Sequence, residues 1–240
     1  MIGLATFVTK CFRWVGLRVD RISNTLAYKR ARFLKELAVN VVLDVGANRG
    51  QYAQQLRRHG YDGRIVSFEP LAGPFQVLKD YAARTQNQEC WHVALSSIGG
   101  SACINVSENL VSSSLLEVRD ECVRACPSSM RVGAEAVEIC CLDSIRGRIL
   151  QPSERVHLKL DTQGSEKDVL IGARETLGQV VSVEIEMSLV PLYEGQALLP
   201  EMFEFLQTRN YTCVWLERGF TDKASGHILQ MDGLFLRNGN

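Results

Sequence analysis

The stretch over residues 41–50, Val-Val-Leu-Asp-Val-Gly-Ala-Asn-Arg-Gly, constrains the fold more than any other part of the chain. An apolar run of strand length leads into a loop with Gly46 and Gly50, and residues 51–59 then have the spacing of a helix. When a strand, a glycine loop and a helix follow one another, the backbone of the loop can approach a ligand closely, and the helix N-terminus offers unpaired N–H groups. The stretch therefore predicts a site for a polar, nucleotide-like ligand.

The rest of the chain alternates between short apolar runs and segments of helical periodicity. The predicted strands are 41–45, 64–68, 90–95, 98–106, 136–141, 156–160, 180–185, 212–217 and 229–236, and the predicted helices are 22–38, 51–59, 74–84, 167–177 and 200–209. Strands separated by such helices imply right-handed crossovers and a mainly parallel sheet. The last two strands are joined by a polar loop, so the fold class is α/β with a terminal antiparallel pair.

Length and charge predict one main domain after a basic segment. A chain of 240 residues has room for one sizeable α/β domain. Residues 1–40 contain eight lysines and arginines against two acidic residues, although the formal net charge of the whole chain is zero. We therefore expect a helical, basic N-terminal segment over 1–40 and a domain with excess acidic charge over 41–240. An acidic surface disfavours a nucleic-acid partner, because phosphate binding needs cations.

The N-terminus is apolar and basic. Residues 1–8 are too few for a membrane span, and Lys10 and Arg13 interrupt them without a signal-peptide cleavage site. Residues 1–17 have the pattern of an amphipathic helix. Two interpretations stay open: packing on the domain, or contact of residues 1–35 with an anionic membrane or a lipid-bearing substrate.

The number and spacing of the cysteines indicate the cellular compartment of the protein. The chain has eight cysteines and no Cys-x-x-Cys pair. We therefore expect free thiols and a cytoplasmic location, with membrane association as the open alternative.

Acidic side chains follow the first two predicted strands. Asp44 lies late in the first strand, where a carboxylate would repel a dinucleotide's diphosphate but suits a ligand that carries an ammonium and a sulfonium. Glu69 ends the second strand, where a carboxylate can accept both hydroxyls of a ribose. A ribose is common to NAD and S-adenosylmethionine, so Glu69 alone does not distinguish them.

A third polar segment, residues 159–166 (Lys-Leu-Asp-Thr-Gln-Gly-Ser-Glu), follows a later strand. It lies at the carboxyl end of that strand, where open α/β sheets bind their ligands. Asp161 is expected to face the cleft between cofactor and acceptor. Glu166 is expected in the first turn of the next helix, where a carboxylate suits the helix dipole, and Ser165 is a second candidate cap for that turn.

Three motifs in this order resemble the FkbM-type S-adenosylmethionine-dependent methyltransferases. They are residues 42–52, residues 67–70 (Ser-Phe-Glu-Pro) and residues 159–166. In the third motif the family has Val-Glu where this chain has Thr162-Gln163, so a role of that glutamate does not carry over. Shorter similarities lie at Asn109 with 112–115 and at 142–145, and the resemblance covers about residues 40–237.

The resemblance implies a Rossmann-like methyltransferase fold with a central, mostly parallel seven-stranded sheet, flanked by helices and ending in the antiparallel pair. It implies S-adenosyl-L-methionine as the cofactor and an O-methyltransferase that acts on a hydroxyl of a sugar, a glycolipid or another natural product. The predicted cofactor-binding residues are Asp44, Gly46, Ala47, Asn48, Gly50, Glu69, Pro70, Ala94 and Leu95.

A neutral hydroxyl that attacks a methyl group needs a proton acceptor and close positioning. Asp161 is the first candidate for this base, or for orienting the acceptor, and Glu184 and Glu186 at a later strand end are alternatives. A metal ion held by these three carboxylates is disfavoured, because acidic strand ends need no ion to explain them. His92 and His157 lie in apolar runs and are interpreted as core histidines.

Two other functions stay open at this point. One is an NAD(P)-dependent oxidoreductase of Rossmann type, against which Asp44 and the antiparallel pair argue. The other is a non-catalytic cofactor-binding module, which the intact glycine loop and acidic residues disfavour. Residues 96–135 are expected to form much of the acceptor pocket, and serines 112–114 would either bind a polyol or form a flexible loop. The sequence indicates neither the acceptor nor an oligomeric state.

Overall fold

A seven-stranded sheet forms the centre of the molecule. The structure is a computed structural model and describes residues 25–239. The strands of this sheet are β1 (Val41–Val45), β2 (Arg64–Phe68), β3 (Gln88–Trp91), β7 (Val156–Leu160), β8 (Val180–Ser188), β9 (Tyr211–Arg218) and β10 (Gln230–Arg237). A smaller three-stranded sheet contains β4 (Ala94–Leu95), β5 (Gly100–Ser107) and β6 (Arg131–Cys140).

Seven helices occur in residues 25–239, and most of them pack on the main sheet. They are α1 (Leu26–Glu36), α2 (Gln51–Arg58), α3 (Ala72–Ala82), α4 (Asp120–Ala125), α5 (Leu142–Ile149), α6 (Glu166–Ile171) and α7 (Leu199–Gln207), with 3₁₀ turns at Pro127–Ser129 and Thr176–Gly178. Within residues 25–239 no helix combines the length and the apolar character that a membrane crossing requires. The predicted helix over 1–17 lies outside the described residues.

The order of the main sheet is β3-β2-β1-β7-β8-β10-β9. The pairs from β3 to β8 are all parallel, whereas β10 runs antiparallel to both of its neighbours, β8 and β9. The predicted mostly parallel sheet with a terminal antiparallel pair is confirmed. The chain changes direction across the sheet between β1 and β7, and open α/β sheets bind ligands at the carboxyl ends of the strands at such a point.

Apolar residues fill both faces of the main sheet. All five residues of β1 are buried, as expected for a central parallel strand. On one face, residues of α5, α6 and α7 pack on the strands, and on the other face Ala31 and Leu34 of α1 join Ala53 and Leu56 of α2. The helix before β1 is therefore part of the core.

Three predicted elements differ from the structure. The predicted strand 90–95 is two strands, because the chain leaves the main sheet after β3 and β4 pairs with β6 instead. The predicted strand 136–141 already begins at Arg131. The predicted helix 167–177 begins at Glu166 and ends at Ile171, and Gly172 at its end lies against Ser96, since a Cβ on it would stand 2.0 Å from the Ser96 carbonyl oxygen.

Candidate active site

A cavity of about 330 Å³ opens at the carboxyl ends of β1, β2, β7 and β8. This volume lies within the range of roughly 300 to 1,000 Å³ that small-molecule sites occupy. Its walls come from the loop after β1, the segment after β2, β4, residues 110–115, the segment after β7, and single residues of α1 and β10. The cavity therefore lies where the strand order predicts a ligand site.

The glycine loop forms one wall of the cavity and folds tightly against both neighbouring strands. Gly46 has a φ of +75°, and a Cβ there would lie 1.8 Å from the backbone oxygen of Asp161, so only glycine fits. The backbone N–H groups of Gly46 and Ala47 donate to the Phe68 carbonyl at 3.1 and 3.0 Å. Gly50, with a φ of +81°, starts α2. The two glycines let the loop turn within this narrow space.

Glu69 is the buried carboxylate of the cavity wall next to this loop. Its Oε2 accepts the Asn48 backbone N–H at 2.8 Å, and its Oε1 accepts the Leu71 backbone N–H at 2.9 Å. Burial raises the pKa of Glu69 to about 7, although these two N–H groups favour the charged form. Each oxygen keeps a further lone pair, so the carboxylate can accept two hydroxyls of a ligand.

Apolar residues line the cavity beside Glu69. Val93, Ala94 and Leu95 lie in the wall, and Ala94 packs with Leu71 and Ile104. Pro70 also lines this part. Of the predicted cofactor-binding residues, seven form the wall, namely Gly46, Ala47, Asn48, Glu69, Pro70, Ala94 and Leu95.

Asp44 and Gly50 lie behind the wall. Asp44 is fully buried, Lys159 Nζ lies 3.4 Å from its Oδ1, and Ser67 Oγ donates to its Oδ2 at 3.4 Å. Burial raises the pKa of Asp44, and for Lys159 the nearby carboxylates outweigh burial and raise its pKa. Lys159 itself reaches the cavity. Direct contact of Asp44 or Gly50 with a cofactor stays a prediction.

Asp161 lies in the cavity wall with two fixed donors. Gln163 Nε2 donates to its Oδ1 at 2.8 Å, and Lys159 Nζ donates to its Oδ2 at 3.3 Å. Its side chain is 39% exposed, so a ligand in the cavity can reach it. Gln163, which stands where the family has glutamate, also accepts the Tyr193 hydroxyl at 2.9 Å. The Gln163 amide thus holds the Asp161 carboxylate in place, whereas a glutamate at position 163 would repel it.

Glu184 is held by charged and polar partners. The Tyr52 hydroxyl donates to its Oε2 at 2.8 Å, and Arg30 of α1 forms an ion pair with its Oε1. Burial would raise the pKa of Glu184, but His157, Arg30 and Tyr52 outweigh it and lower the pKa to about 2. So weak a base is poorly suited to take a proton, although the predicted catalytic role is otherwise untested.

The two histidines differ. His157 is buried, and its Nδ1 lies 2.7 Å from Ser182 Oγ, as interpreted for a core histidine. The same interpretation is wrong for His92, which is exposed and stacks on Phe75 at a ring distance of 4.4 Å. His92 follows the last residue of β3, where the chain leaves the sheet and turns toward solvent.

Two further carboxylates lie near Asp161, the half-buried Glu186 and the buried Glu166. Glu186 accepts Gln163 Nε2 at 2.9 Å and Gln230 Nε2 at 2.7 Å, and burial together with the nearby carboxylates raises its pKa well above the ordinary value. Glu166 accepts the Thr162 backbone N–H at 2.7 Å and so fixes the loop before α6. The predicted cap by Ser165 is wrong, since its side chain makes no capping hydrogen bond.

The model of the FkbM methyltransferase domain matches residues 44–213, which is more than half of the chain. The chain belongs to the FkbM methyltransferase family. A comparison with curated proteins found no match.

Solved structures agree with the fold of this FkbM methyltransferase. It aligns with the FkbM methyltransferase of Methylobacillus flagellatus KT at a TM-score of 0.51 and 14% identity, over 81% of this chain and 43% of that one. It aligns with an O-methyltransferase of Klebsiella pneumoniae, described as putative, at a TM-score of 0.53 and 11% identity, over 98% and 89%. The chain thus spans less than half the length of the Methylobacillus protein. The two alignments confirm the predicted Rossmann-like methyltransferase fold.

The loop over residues 107–114 borders the cavity of this FkbM methyltransferase and is tied down by side chains. The Asn109 side chain accepts the Ser112 backbone N–H at 2.9 Å and the Ser107 hydroxyl at 2.9 Å. The loop presents Leu110, with a φ of +62°, and Val111, which is 57% exposed, to the cavity. These hydrogen bonds argue against the alternative of a flexible loop, and binding of a polyol by serines 112–114 stays a prediction.

The sequence analysis missed two charged residues of the cavity wall. Arg30 comes from α1, before the family motifs, and Asp232 comes from β10, after them. Neither belongs to a motif with a fixed spacing. For Asp232 a signal exists, because it is a charged residue in an otherwise apolar strand pattern.

Within residues 25–239 no group of histidine, cysteine and acidic side chains is arranged to hold a metal ion, and the seven cysteines found there are free thiols.

Proposed function

We propose that this FkbM methyltransferase transfers the methyl group of S-adenosylmethionine to a hydroxyl of a sugar, a glycolipid or another natural product. The observation that carries the proposal is the position of Glu69 beside the glycine loop and an apolar wall. Its two oxygens suit the hydroxyls of a ribose, and Ala94 and Leu95 beside it suit an adenine ring.

The residues present fit this cofactor in two further respects. The close contact of Gly46 with the Asp161 carbonyl oxygen, which a Cβ would prevent, holds the loop backbone in the cavity wall, where it can meet the amino-acid part of the ligand. Carboxylates outnumber cations in the cavity wall as a whole, which favours a ligand that carries a sulfonium and an ammonium. When bound, S-adenosylmethionine supplies a methyl group that is already activated by the positive sulfur.

The acceptor then occupies the remaining part of the cavity, over β7, β8 and β10. Asp161 stands between the two parts, held by Gln163 and Lys159, and is fit to orient a hydroxyl toward the methyl group. Holding the two reactants in line is a large term in the rate of such a transfer. Leu110 and Val111 line the cavity, and their apolar side chains suit the exclusion of water from the reacting atoms.

Calorimetry tests the cofactor. The purified protein is titrated with S-adenosylmethionine and with S-adenosylhomocysteine, and we expect one bound molecule per chain. Heat from neither ligand, with the protein folded, would refute the proposal. A titration with NADH is the matched comparison, and binding of NADH alone would favour the oxidoreductase alternative.

A labelling experiment tests the transfer. Tritiated S-adenosylmethionine is added with the protein to an extract of the source cells, and the labelled component is identified by its retention and mass. We expect a hydroxyl compound to gain the label. Asp161→Asn is expected to bind S-adenosylhomocysteine as the wild type does and to label more slowly. Cofactor binding without any labelling would favour the non-catalytic module instead.

We also propose a cytoplasmic location. Free thiols in the described residues suit a reducing compartment such as the cytoplasm. Peripheral contact of residues 1–35 with an anionic membrane stays a proposal, since only part of this segment is described. Co-sedimentation of the full chain with phosphatidylglycerol vesicles, compared with phosphatidylcholine vesicles, tests it.

A further inference from the structure

We propose that Asp232 is the base that takes the proton of the acceptor hydroxyl. The inference rests on the proposed methyl transfer and assigns the proton to a residue outside the family motifs. Asp232 lies in β10, which is antiparallel to β8, so its early residues stand at the carboxyl ends of the parallel strands.

The hydrogen bonds of the cavity carboxylates distinguish Asp232 from the others. Glu69 accepts two backbone N–H groups, Asp161 and Glu186 each accept two side-chain donors, and Glu184 accepts the Tyr52 hydroxyl and pairs with Arg30. The Asp232 side chain accepts no hydrogen bond from any residue in the described part of the chain. Its nearest cation there is Arg30, with Nη2 at 4.0 Å. Its oxygens are therefore available to a hydroxyl.

The position of Asp232 suits an acceptor on the side of the cavity away from Glu69. It lines the cavity and also a small adjoining groove with Leu26 and Trp215. In the sheet β10 lies two strands from β7, a distance of about 10 Å. A hydroxyl between Asp161 and Asp232 can be oriented by the first and deprotonated by the second. The Asp232 side chain is 35% exposed, so the proton can then pass to solvent.

The charges around Asp232 give it the strength a base requires. Burial raises the pKa of Asp232, and the negative charges of Glu184 and Asp161 raise it further. The positive charges of Arg30 and Lys159 lower it, and the balance leaves the pKa at about 6. From the neighbouring strands Glu186 and Glu217 also face it in register. A carboxylate with this pKa is ionised near neutral pH and is a stronger base than an ordinary aspartate, which suits general-base catalysis.

The reaction then balances in one step. The acceptor oxygen forms a bond to the methyl carbon, and the carbon–sulfur bond breaks with its electron pair remaining on sulfur. The proton of the hydroxyl moves to the Asp232 carboxylate. The products are a methyl ether, a neutral thioether and a carboxylic acid, which returns its proton to solvent.

The experiment compares Asp232→Asn with Glu217→Gln, which removes the neighbouring carboxylate that faces Asp232 on β9 but does not line the cavity. Each variant is first titrated with S-adenosylhomocysteine, which shows that its cofactor site is folded. Initial rates are then measured with tritiated S-adenosylmethionine and a fixed amount of the cell extract. We expect Asp232→Asn to bind like the wild type and to label about 10² to 10⁴ times more slowly, and Glu217→Gln to label at the wild-type rate.

The pH profile separates a base from a structural residue. At saturating S-adenosylmethionine, where cofactor affinity no longer affects the rate, labelling by the wild type should rise with pH through about 6, because the ionised carboxylate is the active form. This rise should be absent from the residual activity of Asp232→Asn, and Asp232→Glu, which keeps a carboxylate, should recover much of the rate. Labelling by Asp232→Asn within threefold of the wild type, or an unchanged pH profile, would overturn the assignment.

Failure of the proposed function gives a different result. In that case the wild type itself would bind no S-adenosylhomocysteine, or would bind it and label nothing. If Asp232→Asn does not bind the cofactor, the comparison rests on Asp232→Glu. Should Asp232→Glu bind the cofactor but label no faster than Asp232→Asn, the assignment of Asp232 as the base would be refuted.

Discussion

Replacement of Glu69 by glutamine tests the central part of the reasoning. The side chain keeps its size, but one of its two acceptors becomes an NH₂ donor. In the wild type both oxygens accept buried backbone N–H groups, from Asn48 and Leu71. In Glu69→Gln one of these N–H groups must face another donor, and one ribose hydroxyl loses its charged acceptor.

The magnitude follows from these two losses. A buried N–H group left without an acceptor destabilises the fold by about 1 to 3 kcal/mol. A hydrogen bond to a charged group contributes about 1.5 to 3 kcal/mol, which is about a 10-fold to 150-fold loss of affinity for each ribose hydroxyl that loses it. We therefore expect the variant to unfold at lower urea concentration and to bind S-adenosylhomocysteine about two orders of magnitude more weakly.

The pKa of Glu69 predicts that the affinity for the cofactor depends on pH. Burial places this pKa at about 7, so the free protein carries a protonated Glu69 at lower pH. A protonated carboxyl accepts hydroxyls less well, so the affinity of the wild type should rise as the pH is raised from 6 to 8. Below pH 7 each unit should weaken binding by up to about tenfold, and Glu69→Gln should show no such slope, because glutamine does not titrate.

Calorimetry at pH 6, 7 and 8 measures both effects. Glu89→Gln is the matched control, because Glu89 is exposed on the neighbouring strand β3 and pairs with Arg64 at the surface. It should bind the cofactor product like the wild type. Binding by Glu69→Gln within twofold of the wild type would refute the role of the carboxylate, and an equal pH slope in both proteins would refute its titration.

Three other substitutions test the rest of the site. Gly46→Ala places a Cβ 1.8 Å from the Asp161 carbonyl at a positive φ, so we expect a lower melting temperature and no cofactor binding by calorimetry. Lys159→Met leaves Asp44 buried without its counter-charge, which should destabilise the fold by about 3 to 5 kcal/mol in urea unfolding; wild-type stability would contradict the ion pair. Val111→Asp, at the exposed mouth, should leave the unfolding midpoint and cofactor affinity unchanged but lower the labelling rate several-fold, and an unchanged rate would show that the acceptor does not pass this residue.

The sequence predicts the cofactor half of the site because its residues are local. The glycine loop and Glu69 follow two consecutive strands, and the periodicity of each strand and helix is visible in a short window. The division of residues 90–95 between two sheets is not visible there, because an apolar run does not show where its pairing partner changes. Arg30 and Asp232 enter the cavity only through the topology, which brings the first described helix and the last strand to the same edge.

Arg30 has a consequence for variation within the family. It lies before residue 44, where the match to the family model begins, yet it lines the cavity and pairs with Glu184 of the matched region. Asp232 lies after residue 213, where the match ends. Segments on both sides of the matched region thus meet at one place in the proposed acceptor part of the cavity, where Arg30 Nη2 lies 4.0 Å from Asp232 Oδ2. We therefore expect that two members with the same residues over the matched region can differ in acceptor, and that exchanging the helix before this region or the strand after it alters that choice.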